Sequence, residues 1–339
     1  MAIKFAPISI PLSRRLQTAS VLLFILLFLV GHVSSWFALV LFALNPFFTP
    51  FVILYLFWVF HWDKQTPFNG GRPFRFMRRL AVWRYFRDYF PIALRSDNDN
   101  GLDASVPYVF GCHPHGVGSA GAVCNFTTDV TGFDRLFPGV DVRLMTLDVQ
   151  FDMPIWRDLL MAQGLCSVSK HSCLHCLEHG TSIAIVVGGA AEALDARPGC
   201  ADLTLASRRG FVKLAMMSGA SLVPTFSFGE NDIYNQVPNP PGSRLRELQK
   251  RFTKTMGFSP PLFHGRGIFN YTFGLMPHRR PVTTIVGKPI AVEKAADLEN
   301  LDREEVDRIW NQYVDGLREL FDAHKTEFGF SESDTLNIS

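Results

Sequence analysis

An α/β layer fold, with a mostly parallel sheet flanked by helices and an apolar helical hairpin in front of it, is what this sequence predicts. Three observations carry the prediction. Between Val106 and Val286 short apolar runs alternate with helix-period patterns, as strands joined by crossover helices do. From Leu16 to Trp62 there is no Lys, Arg, Asp or Glu. Near the end of the chain Val306, Ile309, Trp310, Tyr313, Leu317, Leu320 and Phe321 keep a 3.6-residue period behind Asp302, a good N-cap.

The elements follow in order. Residues 1–15 read as a cytoplasmic tail and 16–62 as a membrane hairpin. A helix through the whole uncharged run would reach roughly 70 Å, against about 30 Å of hydrocarbon, so it has room to cross twice. Asn45-Pro46 and Pro50 interrupt it, and proline disfavours helix continuation, which puts a turn there and segments near 19–42 and 50–62. The second segment is short enough to re-enter rather than span. Arg14 and Arg15 precede the run and a cluster from Lys64 to Arg87 follows it, so both flanks are expected on the cytoplasmic side. A secretory signal peptide with Val21–Val30 as its apolar core is the competing reading, disfavoured because a second apolar segment follows at once.

Residues 63–339 read as the cytoplasm-facing body. Phe74 to Phe90 mixes arginine with aromatics, and at helical spacing Phe76, Leu80 and Trp83 share a face. A helix on a soluble core fits nearly as well, but the position directly after the hairpin favours a helix at headgroup level. Ser96–Ser105 is polar and turn-forming. Strands are expected at Val106–Gly111, Val142–Leu147, Ile183–Val187, Ser221–Phe226 and Val282–Val286. Helices are expected at Pro154–Gln163, Leu174–Gly180, Arg208–Met217 and Arg303–Lys325.

The chain has 339 residues, 47% hydrophobic, with 31 Phe, which is ample for a large core. A formal net charge of +2 gives no global electrostatic signature, and no nucleic-acid partner is expected. Its six cysteines are scattered, which suits a reducing compartment.

One stretch carries more chemistry than the rest: Tyr108-Val109-Phe110-Gly111-Cys112-His113-Pro114-His115-Gly116. It is a strand-like run ending in two imidazoles, the side chain that titrates near neutrality. Either an incidental polar strand end or a catalytic pair fits that spacing. Gly116-Val117-Gly118-Ser119-Ala120-Gly121 also matches the dinucleotide fingerprint, with Asp141 about twenty residues on. The true motif starts directly at the strand end, with no His-Pro-His between, so nicotinamide binding is not expected. His171, Cys173, His175, Cys176 and His179 have some zinc-ligand spacing, but no second ligand pair follows and no metal is expected. Glu192, just past the apolar strand Ile185–Val187, either orients a histidine or caps a helix. Arg208, Arg209 and Lys213 open a helix where they hold a phosphorylated cofactor or simply face solvent. No Gly-x-Ser-x-Gly elbow and no P-loop occurs.

Taken together these stretches resemble the type-2 diacylglycerol acyltransferase family, which also holds monoacylglycerol and wax-ester enzymes. The resemblance runs from about Phe51 to Val292. It includes Gly70-Gly71-Arg72, Tyr89-Phe90-Pro91, the His113-Pro114-His115-Gly116 box, Val187–Gly199, Arg208–Leu214, Leu222–Asp232, Gly265-Arg266-Gly267, Arg280-Pro281 and Val286-Gly287-Lys288-Pro289. Cys112 stands where the family more often has Tyr. The resemblance implies a glycerol-phosphate-acyltransferase-like fold and an enzyme of the endoplasmic-reticulum membrane, with lipid droplets as a second location. It implies acyl-coenzyme A as co-substrate rather than a tightly bound cofactor, and diacylglycerol as acceptor, with monoacylglycerol or a fatty alcohol as alternatives. Membrane lipids are expected partners, and homo-oligomer formation stays open. In the wider His-x4-Asp box the aspartate place falls on Gly118, which leaves the usual partner of His113 missing.

The expected chemistry is single-step transfer. His113 takes the acceptor's proton, with His115 assisting or acting as the base itself. Glu192 is the candidate for orienting that base. Backbone N–H groups from Gly116 to Gly118 are candidates for the oxyanion, with Gly116, Gly118, Arg208, Arg209 and Lys213 assigned to the coenzyme A side. The rival of another class is a non-catalytic membrane lipid-binding protein, which would leave the paired histidines without a purpose.

Overall fold

The computed structural model describes residues 3–7, 9–240, 242–256, 262–298 and 300–339. Seven strands form one sheet: β1 (Ile92–Ser96), β2 (Tyr108–His113), β3 (Val142–Thr146), β4 (Leu165–Ser167), β5 (Ser182–Val186), β6 (Ser221–Phe228) and β7 (Val282–Val286). Their order is β1-β7-β6-β2-β5-β3-β4. Neighbours run parallel except β7 against β6, so the expected mostly parallel sheet is present.

All six residues of β2 are buried, as befits a continuous apolar run with a covered layer on both faces. Strand alternation then separates the faces. Phe110 and Cys112 pack with Ala122 and Phe126 of a helix at Ala120–Thr127. Val109 packs on the other face, in the cluster that includes Phe211, Val212, Tyr313 and Leu317. That second layer is built by Gly210–Ser218 and the long helix Arg303–His324, which Asp302 caps by accepting the N–H of Glu304 at 3.0 Å. His113, two residues beyond Gly111 and four beyond Val109, shares this face.

The chain leaves β2 toward β3 on one side and leaves β6 toward β7 on the other. The carboxyl ends of β2 and β6, paired at His113 and Phe226, therefore lie at a topological switch point, where ligands of open α/β sheets gather.

At the N-terminal side a 32-residue helix, Leu12–Ala43, turns at residues 44–48 into Thr49–Phe57, which continues as a π turn to Trp62. The two helical segments return toward one place. His32 of the first bonds Gln150 at 2.6 Å, and the Tyr55 hydroxyl of the second receives the N–H of Ile155 at 2.6 Å. The first helix is long and apolar enough to cross a membrane, spanning about 48 Å at 1.5 Å per residue. Leu23, Leu26, Leu27, Phe28, Leu29 and Val30 are exposed along it, an apolar surface beyond what water-facing proteins usually carry.

Phe74–Phe90 is not one helix. A single turn at Arg75–Arg78 is separated from Ala81–Tyr89 by an extended Leu80 (φ −53°, ψ 141°). Arg78 and Arg79 both pair with Asp129, at 3.2 and 2.6 Å, which fixes the chain at the break. Phe76, Leu80 and Trp83 consequently share no helical face. Phe86 and Tyr89 are buried against Val21 and Ile25 of the N-terminal helix.

Candidate active site

The site begins with parity. Val109, Gly111 and His113 face the C-terminal helix, and the missing side chain of Gly111 admits the phenol of Tyr313. A Cβ on Gly111 would lie 1.9 Å from that hydroxyl. The hydroxyl is 3.0 Å from the Gly111 carbonyl oxygen and 3.0 Å from His113 Nε2. A phenol has one proton and a carbonyl only accepts, so Tyr313 donates to Gly111. Its oxygen is then left to accept, which requires the proton of His113 to sit on Nε2. Nδ1 is bare, fully buried and without a hydrogen-bond partner among the described residues. Burial pulls the His113 pKa down to about 3 and so keeps the ring neutral.

His115 takes the opposite tautomer. Its Nδ1 lies 3.0 Å from the Gly116 carbonyl oxygen and must carry the proton to donate there. This ring is half-buried, and burial lowers its pKa as well. The two imidazoles therefore present different nitrogens as lone-pair donors.

Glu192 does not orient either ring. Its carboxylate accepts the main-chain N–H of His115 at 2.5 Å and of Thr204 at 2.8 Å. It fixes the backbone of the His-Pro-His turn, because its helix, Gly189–Ala193, starts directly after β5, the neighbour of β2. A second acid, absent from the sequence expectations, does a related job on the other side. Glu230 follows the end of β6 and accepts the N–H groups of Ala120 and Gly121 at 2.7 and 2.8 Å. It also packs on Gly116, which sits at φ +60°, and where a Cβ would come within 2.7 Å of the Glu230 side chain. The helix N-terminus that a dinucleotide pyrophosphate would use is thus filled by a carboxylate. Between the two acids, the N–H groups of Gly116, Val117 and Gly118 make no hydrogen bond among the described residues.

Burial raises both carboxyls to about 7, against the pull of the N–H bonds that each accepts. A folded pKa above the unfolded one means stability that is complete below the ordinary carboxyl range and is lost as pH rises through about 7. Unfolding free energy should therefore fall between about pH 5 and pH 8, by up to about 3 kcal/mol for each carboxyl. Glu230→Gln cannot titrate and should remove its share of that slope. Denaturant titration of both proteins across this range is the check, and a wild-type–variant difference independent of pH would refute the assignment.

Neither imidazole hydrogen-bonds to any of the remaining sequence candidates among the described residues. Arg209 pairs with Asp307 at 2.9 Å and stacks 3.6 Å over the Trp310 ring, so its charge is already engaged. Arg208 reaches the Gly188 carbonyl at 3.5 Å, and Lys213 is exposed. Gly118 has open space where a Cβ would stand. On the helix Lys170–Glu178, Cys173 and Cys176 are buried while His171, and His179 just past its end, are exposed, so the zinc-like residues point to different sides. Tyr313 and Glu230 were the residues the sequence did not disclose. A buried Tyr on an otherwise apolar helix face was the available signal, because a buried phenol needs a partner.

The diacylglycerol acyltransferase family model matches residues 40–339. Diacylglycerol O-acyltransferase 2A of Umbelopsis ramanniana is 48% identical over 335 residues, covering 95% of this chain and 90% of that protein. The 2-acylglycerol O-acyltransferase 1 of Bos taurus is 47% identical over 340 residues, covering 99% of each. Among solved structures, the 1-acyl-sn-glycerophosphate acyltransferase of Thermotoga maritima aligns with a TM-score of 0.38 at 9% identity, over 90% of this chain and 97% of that one. Since both the family model and the relatives span almost its whole length, the chain belongs to the diacylglycerol acyltransferase family and is an acyltransferase.

Proposed function

We propose that this enzyme transfers a fatty acyl group from acyl-coenzyme A to the free hydroxyl of diacylglycerol, forming triacylglycerol, with His113 as general base. The observation that carries the mechanism is the bare, buried Nδ1 of His113, opposite a Tyr313 hydroxyl that can only accept from Nε2. His113 is fully buried, so the acceptor reaches Nδ1 after the covering side chains part.

In the step, the acceptor O–H bond breaks toward Nδ1 and its oxygen forms the new C–O bond at the thioester carbonyl. The C–S bond then breaks, and the proton on Nδ1 passes to the departing coenzyme A thiolate. Imidazolium formed in transit is stabilised by Tyr313, which accepts from Nε2–H. The N–H groups of Gly116, Val117 and Gly118 are suited to the carbonyl oxygen as it becomes negative. Exclusion of water around His113 disfavours thioester hydrolysis.

Membrane association supports the lipid acceptor. The exposed apolar face of Leu12–Ala43 enters the bilayer, with the body on the cytoplasmic side of the endoplasmic reticulum and, in its second location, on lipid droplets. The same helix packs by Val21 and Ile25 on the layer that holds Ala120, at the end of the histidine loop. Purified protein in detergent, given one labelled acyl-coenzyme A with diacylglycerol, monoacylglycerol and a long-chain alcohol in parallel, should yield labelled triacylglycerol fastest. A monoacylglycerol preference, as the name of the bovine relative would suggest, replaces the acceptor and keeps the mechanism. Failure to consume acyl-coenzyme A with any acceptor rejects the donor.

A further inference from the structure

A cavity of about 910 Å³ opens where the first turn of the Leu12–Ala43 helix meets the loop around Arg266 and Arg279. It is separate from the residues around His113. Residues 4–6 close one side by pairing with residues 269–272: the Ala6 N–H donates to Phe269 and the Tyr271 N–H to Lys4, each at 2.8 Å. Its size is that of a small-molecule site.

Its chemistry is one-sided. Arg14, Arg15, Arg266, Arg279 and His278 contribute to the wall, and no Asp or Glu does among the described residues. Arg266 and Arg279 lie over the same Tyr89 ring, at 5.6 and 4.0 Å, so two guanidiniums crowd one aromatic group. Arg279 is held by neutral oxygens, Gln17 Oε1 at 2.6 Å and Thr18 Oγ1 at 3.0 Å. Arg266 is 92% buried by its 8% exposure, and its Nε–H has no partner among the described residues. Such a donor is costly to bury unless something accepts from it. Pro11 at the N-cap of the long helix offers no side-chain acceptor, and no side chain among the described residues caps the first-turn N–H groups, which favour an anion. Ile10, Leu22 and Ile268 supply an apolar wall in the same cavity.

We propose that this cavity binds a phosphate-bearing amphiphile, its phosphate against Arg266, Arg279 and Arg14 and its apolar chain along Ile10, Leu22 and Ile268. Arginine's planar fork suits a phosphate, and the adjoining uncharged helix supplies the apolar continuation. An anionic phospholipid and the acyl-coenzyme A donor share this chemistry.

The test is a binding measurement on the full chain in neutral detergent. Its probes are dihexanoyl phosphatidic acid, dihexanoyl phosphatidylcholine, oleoyl-coenzyme A and inorganic phosphate. Phosphatidic acid should bind at least tenfold more tightly than phosphatidylcholine. The double variant Arg266→Gln/Arg279→Gln should weaken it tenfold or more, and His113→Ala should not change it. Arg14→Gln, an exposed position whose change leaves the packing intact, should weaken it severalfold. Displacement of phosphatidic acid by oleoyl-coenzyme A assigns the site to the donor's phosphates, and its absence assigns it to lipid. Displacement by inorganic phosphate alone at equal concentration, or affinities unchanged in Arg14→Gln and the double variant, overturns the proposal. No turnover is needed, so a protein that binds phosphatidic acid but transfers no acyl group would reject the proposed reaction and leave this site standing.

Discussion

His113→Ala is expected to lower acyl transfer by roughly 100- to 10,000-fold, the usual range for a lost general base. The variant should keep its circular dichroism and its elution volume, because the ring is held by a single side-chain bond to Tyr313. Tyr313→Phe is the finer experiment. It leaves the shape of the ring and its contact with Phe211 (centroids 4.7 Å apart) but removes the acceptor for Nε2–H. Nδ1 and Nε2 then compete for the proton, and kcat should fall about tenfold or more with KM little changed. His115→Ala should cost less than His113→Ala. Turnover kept by His113→Ala and lost by His115→Ala would transfer the base role to His115. Retention by both variants would remove histidine from the mechanism altogether.

The second large effect is on stability. Arg157 is 1% exposed, and its guanidinium is neutralised by Asp63, with Nη1 2.8 Å from Oδ2 and Nη2 2.6 Å from the Asp63 carbonyl oxygen. Asp63 also receives Arg72 and the Thr66 hydroxyl. It is the first charged residue after the apolar hairpin, so this one carboxylate ties the hairpin's exit to the helix Trp156–Gln163. Asp63→Ala strands a buried cation and should destabilise the protein by about 3–5 kcal/mol. Arg157→Met, which removes the charge and keeps much of the volume, should cost less. Thermal unfolding in detergent would compare them, and equal losses would mean that the site is sensitive to shape rather than to charge.

The parts of the fold that were legible are those governed by local periodicity. Five central strands and the helix Arg303–His324 fall within a few residues of where alternation and capping put them. Strand Ile92–Ser96 escaped because it is an edge strand with Arg95 on its open face, and Leu165–Ser167 because three residues carry no pattern. Helix Ala120–Thr127 was hidden by Gly121 and by Gly116 and Gly118 just ahead of it. Gly121 is there for close approach, since a Cβ would meet Glu230, Thr284 and Ser227 at 3.0–3.2 Å. The His-Pro-His-Gly turn was visible as chemistry, but its partners were not. Tyr313 comes from 200 positions downstream and Glu230 from the turn after the neighbouring strand, and both depend on pairing that no local window contains. Glu192 was visible as an acid near the site, yet its bond to a main-chain N–H rather than a ring depends on where two neighbouring strands end.

Tyr313 also has a consequence for biogenesis. On the proposed mechanism, a growing chain that has already folded β2 holds both histidines long before the helix that decides where the His113 proton sits has been made. Catalytic competence would then arrive late, after the anchor, the sheet and both acids are in place. A polypeptide halted ahead of residue 313 would engage the bilayer and present its histidines, yet do little chemistry on the lipids around it. Acyl transfer would in that sense report that translation had passed the last turn of the site.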